Sequence, residues 1–122
     1  MQLNPSNLEA LLHKGGVYQK QGQYPDAYRA FSRAVEIDPN HIKALYAKGN
    51  ALARQGRLEA AIQCLDRVLQ LEPDKATAWF DKGRTLCAIG KDREALQCFE
   101  KAHSFGSQDA GEAARTLRRR LR

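Results

Sequence analysis

The chain has 122 residues, 43% of them hydrophobic and 28% charged, with a net charge of +6, which suits one soluble globular domain. It holds no run of about 18 apolar residues that would span a membrane, and its start shows no basic-then-apolar signal segment. Three cysteines, an odd number, argue against a disulfide framework and favour a reducing compartment, so a cytoplasmic location is expected.

Taken in order, residues 1–7 read as the end of a repeat whose beginning is missing, because Leu3-Asn4-Pro5-Ser6-Asn7 parallels Ile37-Asp38-Pro39-Asn40-His41. Ser6 and Glu9 have the spacing of a capping box, and Asn40 and Asp74 are predicted to cap later helices. A first helix follows from the helical spacing of Leu8, Leu11, Leu12, Gly15 and Tyr18. Gly22 stops it. Pro25 suits the first turn of a second helix, whose buried side is Ala27, Ala30, Phe31, Ala34 and Ile37.

The same pattern then returns at a shift of 34 residues. Lys14-Gly15 becomes Lys48-Gly49 and Lys82-Gly83. Gly22 becomes Gly56 and Gly90, and Ala27 becomes Ala61 and Ala95. Phe31 becomes Leu65 and Phe99, and Pro39 becomes Pro73, with Ser107 in the third place. A fixed period of this length marks a stacked repeat architecture. The internal glycines each cost a helix roughly 1 kcal/mol relative to alanine, so they are expected where two helices cross closely. Ala27, Ala61 and Ala95 read the same way, as small residues under a neighbouring helix. The third repeat decays at Phe105-Gly106-Ser107, and a last helix carries Ala110, Ala113, Ala114, Leu117 and Leu121 on one face. Five arginines against Glu112 give residues 110–122 a charge of +4, as befits a solvating cap on a solenoid.

On these residues the sequence resembles the tetratricopeptide repeat family. Leu11, Gly15, Tyr18, Ala27, Phe31 and Pro39 carry the pattern in the first copy. Leu45, Gly49, Leu52, Ala61, Leu65 and Pro73 carry it in the second, and Trp79, Gly83, Leu86, Ala95 and Phe99 in the third. The predicted fold is all-α: an α-α superhelix of three helix-turn-helix repeats at 8–41, 42–75 and 76–109, with a capping helix at about 109–121, in a single domain over 1–122.

Catalytic motifs are absent. His13, His41 and His103 occupy three different places in the repeat. Cys64 and Cys98 share one place, Cys87 lies on the other helix of its pair, and no tight Cys/His metal spacing occurs. There is no phosphate loop, zinc-protease motif or nucleophile elbow. The chain reads as a non-enzyme that needs no metal and no cofactor.

The resemblance implies a scaffold for protein–protein interaction, with the first helix of each repeat lining a concave groove for a partner's peptide or helix. Carried over by position, the groove presents Glu9, Leu12, Gly16, Gln19 and Lys20; then Lys43, Tyr46, Asn50, Ala53 and Arg54; then Thr77, Phe80, Arg84, Cys87 and Ala88. The binding residues implied are Lys20, Lys43, Tyr46, Asn50, Arg54, Phe80 and Arg84, with Tyr46 and Phe80 as anchors. Four basic residues against one acid predict an acidic segment with apolar anchors. Members that clamp a chaperone's terminal carboxylate use lysine, asparagine and arginine where this chain has Leu12, Gly16, Ala47, Thr77 and Asp81, so that ligand is not expected. The alternatives are an arginine-rich last helix docking on nucleic acid or an anionic surface, and a fragment whose partner site lies elsewhere in a longer array.

Overall fold

The computed structural model describes the backbone from Pro5 and the side chains from Asn7 onward, so residues 1–4 and the side chain of Ser6, with its capping box, fall outside the described part. Seven helices follow: α1 (Pro5–Lys20), α2 (Tyr24–Ile37), α3 (Ile42–Arg54), α4 (Leu58–Leu71), α5 (Ala76–Ile89), α6 (Asp92–Ser104) and α7 (Gln108–Arg120). No strand occurs among the described residues. The all-α expectation and the count of six repeat helices plus a cap agree with this. By contacts the chain divides into two compact units, Met1–Cys64 and Leu65–Arg122.

The turn inside each repeat follows from local chemistry. Gly22, at φ +76°, takes the left-handed conformation that lets the chain leave α1. The Gln23 amide then donates back to the Tyr18 carbonyl at 2.8 Å, closing the six-residue loop of a Schellman motif. Arg57 to Leu52 at 3.0 Å and Lys91 to Leu86 at 2.9 Å repeat that closure. Pro25 falls in the first turn of α2, where its missing amide is no loss.

Two capping expectations require correction. The residue that caps α3 is His41, not Asn40: its Nδ1 accepts from the Ala44 amide at 3.2 Å. Lys75, not Asp74, occupies the cap position of α5, and its side chain makes no cap bond. For Asn40 the reason lies in the preceding turn, where Asp38 Oδ1 accepts from the Asn40 amide at 3.2 Å and draws Asn40 into the turn. His41→Ala is therefore expected to lower the unfolding free energy by about 1 kcal/mol, read as a lower urea midpoint, while His41→Asn, which keeps an acceptor, leaves it nearly unchanged.

The register also shifts once. α3 and α5 start 34 residues apart, but α7 starts only 32 after α5. The connection between α6 and α7 is Phe105, Gly106 (φ +109°) and Ser107, shorter than the proline-bearing turns before it. Ser107 Oγ accepts from the Ala110 amide at 3.1 Å and caps α7. Ala110, Ala114 and Leu117 are buried as the helical spacing predicts, and Gly111 joins them because the His103 ring lies over it: a Cβ there would stand 2.6 Å from His103 Nδ1.

In the first unit α1 packs on α2 and α2 on α3. Phe31, Ala27 and Ala51 form a buried cluster against which Leu12, Tyr18, Tyr28 and Ala47 pack. In the second unit α5 packs on α6 and α6 on α7. Gly15 and Gly83 serve as expected for glycine in a helix crossing. A Cβ on Gly15 would enter the Phe31 ring, and one on Gly83 would stand 2.6 Å from Phe99 Cε1. In these two pairs the aromatic of the second helix occupies the volume that the glycine vacates.

The repeated lysine before each glycine also has a partner. Lys14 lies over the Tyr18 ring at 5.9 Å, Lys48 over Tyr28 at 5.9 Å and Lys82 over Trp79 at 5.6 Å. Each is a cation held over an aromatic face. Lys82 additionally pairs with Asp66 at 2.7 Å, and the Trp79 indole donates to the Pro73 carbonyl at 2.7 Å.

Candidate partner-binding surface

Five of the groove positions predicted from the first unit come together around one cleft. Leu12, Gly16, Gln19 and Lys20 of α1 and Lys43 of α3 line about 310 Å³ of open space, with His13, Val17, Phe31 and Ala47 completing the wall. Leu12, Val17, Phe31 and Ala47 give the lining its apolar part, and Lys20 and Lys43, both exposed, add two positive charges. Val17 is 41% exposed, a large apolar side chain left in water. At Gly16 a Cβ would meet nothing within 4 Å, so the cleft is wide because this glycine leaves it so. The contrast with its neighbour is a test of the geometry. Gly16→Ala is expected to raise stability by about 1 kcal/mol through helix propensity alone, read as a higher midpoint in urea.

The other predicted residues have the following settings. Tyr46 and Asn50 are half-buried on α3. Arg54 is exposed in the last turn of α3, its guanidinium 5.8 Å from the Tyr24 ring. In the second unit Phe80 is half-buried against Phe99, ring centroids 5.7 Å apart. Arg84 lies over Phe80 at 5.7 Å and stands 3.8 Å from Asp81. Counting bases along helix faces overlooked that carboxylate, since Asp81 sits one turn back from Arg84. Three spacings in α1 and α3 would have revealed the cleft: Leu12/Gly16, His13/Val17 and Lys43/Ala47 are all i,i+4 pairs on neighbouring rows.

Burial pushes the thiols of Cys64, Cys87 and Cys98 up from their ordinary value, with Lys48 opposing the rise at Cys64. A thiol held in its protonated form is a poor nucleophile. Among the described residues, no group of three or more His, Cys, Asp or Glu could hold a metal ion. No described helix is long and apolar enough to cross a membrane.

The terminal arginines are partly engaged within the second unit. Arg118 stands 3.6 Å from Glu100 and Arg120 3.5 Å from Asp92, both acids of α6. That leaves Arg115, Arg119 and Arg122 for an outside polyanion. Binding to duplex DNA, measured against salt, is therefore expected to show a log–log slope no steeper than about −3.

Paired helices repeated in register, joined by glycine turns and closed by a capping helix, define a helix-turn-helix repeat protein. Tetratricopeptide repeat profiles match residues 18–74 and 48–122, and the chain belongs to the tetratricopeptide repeat family. Its fold is similar to the first tetratricopeptide domain of Spaghetti (RPAP3), solved with the HSP90 peptide SRMEEVD, at TM-score 0.90 and 20% identity, covering 99% of this chain and 98% of that one. It is similar to the Yersinia enterocolitica type III secretion chaperone SycD, solved with a peptide of the translocator YopD, at TM-score 0.93 and 14% identity over 100% of both chains. MamA matches at TM-score 0.82 and 26% identity, covering 93% of this chain and 73% of that one. No curated protein matches the chain in sequence.

Proposed function

We propose that the protein is an interaction module that binds an acidic segment of another protein and seats an apolar anchor of that segment in the cleft beside α1. The observation that carries this reading is the cleft itself, lined by the apolar Leu12, Val17, Phe31 and Ala47 together with Gly16 and the two bases Lys20 and Lys43. Desolvating an anchor against such a lining supplies holding energy at about 25 cal/mol per Å² of apolar surface. The lysines supply steering, which is screened over about 8 Å at physiological salt and so affects association more than residence. Solved proteins of the same fold hold peptides, an HSP90 peptide in Spaghetti and a translocator peptide in SycD, which supports a peptide as the class of ligand here.

Within this reading Tyr46 is a second anchor, Asn50 pairs with the backbone of the bound segment, and Arg54 meets its acids. Phe80 and Arg84 are proposed as contacts made by the second unit. The segment is not a terminal carboxylate held by a lysine and asparagine clamp, because Leu12, Gly16 and Ala47 stand where that clamp needs polar donors. The module carries no reaction and takes no cofactor.

The test is affinity capture with the intact chain beside a Tyr46→Ala, Arg54→Glu, Phe80→Ala variant. The expected result is a partner retained by the first and lost from the second, with Arg54→Glu alone slowing association and Phe80→Ala alone speeding dissociation. A partner that binds the triple variant unchanged would overturn the assignment of these residues.

A further inference from the structure

All but one of the nine glycines have a place in the turns or the packing. Gly22, Gly56, Gly90 and Gly106 stand at positive φ, and Gly49 is buried in α3. Three more lie inside helices with a planar ring over the bare backbone: Phe31 over Gly15, Phe99 over Gly83 and His103 over Gly111. Gly16 has none of these reasons. It lies within α1, outside the left-handed region, and a Cβ on it would meet nothing within 4 Å. Glycine there weakens the helix more than any residue except proline. In the same register the next two repeats carry Asn50 and Arg84.

We propose that Gly16 is the seat for an aromatic ring supplied by the partner. The anchor of the bound segment is then a phenylalanine, tyrosine or tryptophan side chain lying over Gly16 as Phe31 lies over Gly15. This rests on the reading of the cleft as the partner site and names the chemistry of its anchor.

The rest of the cleft suits a ring. Its open space is about 310 Å³, and a cavity of about 150 Å³ is enough to take up benzene. Val17, 41% exposed, and Phe31 line the same space and offer a ring apolar neighbours. The lysines point the same way. Lys14, Lys48 and Lys82 already lie over rings at 5.9, 5.9 and 5.6 Å. Lys20 and Lys43, which line the cleft, have no ring beside them among the described residues. An aromatic anchor gives those two cations a π face, whereas an aliphatic anchor offers them nothing beyond contact area. The chain's own exposed ring, Phe105 at 41%, is the wrong occupant by charge. It follows Lys101 and precedes the arginine-rich α7, so a second copy would bring bases towards Lys20 and Lys43.

The probes are end-capped peptides with three acidic residues on each side of one central phenylalanine, cyclohexylalanine, leucine or alanine, titrated into the full chain and followed by NMR. Cyclohexylalanine keeps the size and apolarity of phenylalanine but has no π face. The expected result is saturable binding of the phenylalanine peptide with a Kd below about 1 mM. It should bind at least about fivefold tighter than the leucine and cyclohexylalanine peptides, as ring and cation–π contacts of ordinary strength give. Ring-current shifts should appear at the Gly16 α-protons and Val17 methyls with the phenylalanine peptide alone. In Gly16→Ala, which keeps the fold, the phenylalanine peptide should weaken by at least about fivefold and the leucine peptide by less than about twofold. Equal affinity of the leucine or cyclohexylalanine peptide, or a phenylalanine peptide that binds Gly16→Ala unchanged, overturns the aromatic seat and leaves an apolar anchor in the cleft standing. No saturation of any peptide by about 1 mM, or binding that leaves the Gly16 and Val17 signals unmoved, overturns the reading of the cleft as well. A dimer in sedimentation equilibrium that Phe105→Ala dissociates, with the Gly16 shifts lost on dissociation, overturns the partner as the source of the ring.

Discussion

Phe31→Ala is expected to cost about 3–5 kcal/mol, the usual range for removing a buried aromatic ring from a core. Phe31 is 2% exposed and lies at the centre of the first unit's cluster with Ala27 and Ala51. Its ring also fills the space over Gly15 and forms part of the cleft wall. Removing it leaves a void among Ala27, Ala51, Leu12, Tyr18 and Tyr28 that the surrounding helices close only in part. Against a total stability of about 5–15 kcal/mol for a domain of ordinary size, that is a large share. The measurement is the urea midpoint at an unchanged m-value. A loss below about 1 kcal/mol would mean that the ring is not packed as described.

Gly83→Ala is expected to cost about 1–3 kcal/mol, although alanine is the better helix former. The added Cβ would stand 2.6 Å from Phe99 Cε1 and 2.7 Å from Cδ1. Phe99 is 4% exposed and packs beside Phe80, ring centroids 5.7 Å apart, so it has little room to give. Phe99→Leu in the same chain should recover part of the loss, because the smaller, flexible leucine side chain can give way to the added Cβ where the ring cannot. A double-mutant cycle measures that coupling. Purely additive losses would mean that Gly83 and Phe99 do not share the volume.

Much of this fold was legible because spacing is a property of sequence. Lys14-Gly15, Gly22, Ala27 and Phe31 recur at a fixed shift, and a helix that repeats its small residues must repeat its crossings. The same spacing located the turn glycines and the buried face of α7. It misplaced the caps at Asn40 and Asp74, because a cap is chosen by turn geometry over one or two residues. It placed α7 at about 109–121, one residue late, because the Phe105-Gly106-Ser107 connection is shorter than the proline turns before it.

The candidate surface was legible only in part. Position along α1 and α3 identified Leu12, Gly16, Lys20 and Lys43, since those residues share helix rows. Position does not reveal depth, so the roles of Val17 and Phe31 in the cleft were not visible. Nor was Asp81 recognised as the neighbour that takes up part of the Arg84 charge. A face count sums charges without asking which of them are already paired.

The most direct test of the central claim is calorimetric titration of a captured partner into the wild-type chain and into Gly16→Leu. The substituted side chain projects into open space, fills the cleft and improves helix propensity by up to about 1 kcal/mol, so the protein should melt no lower than wild type. The account predicts that partner affinity nevertheless falls by at least about tenfold, which is about 1.4 kcal/mol of binding free energy. A partner that binds Gly16→Leu as tightly as the wild-type chain would contradict it.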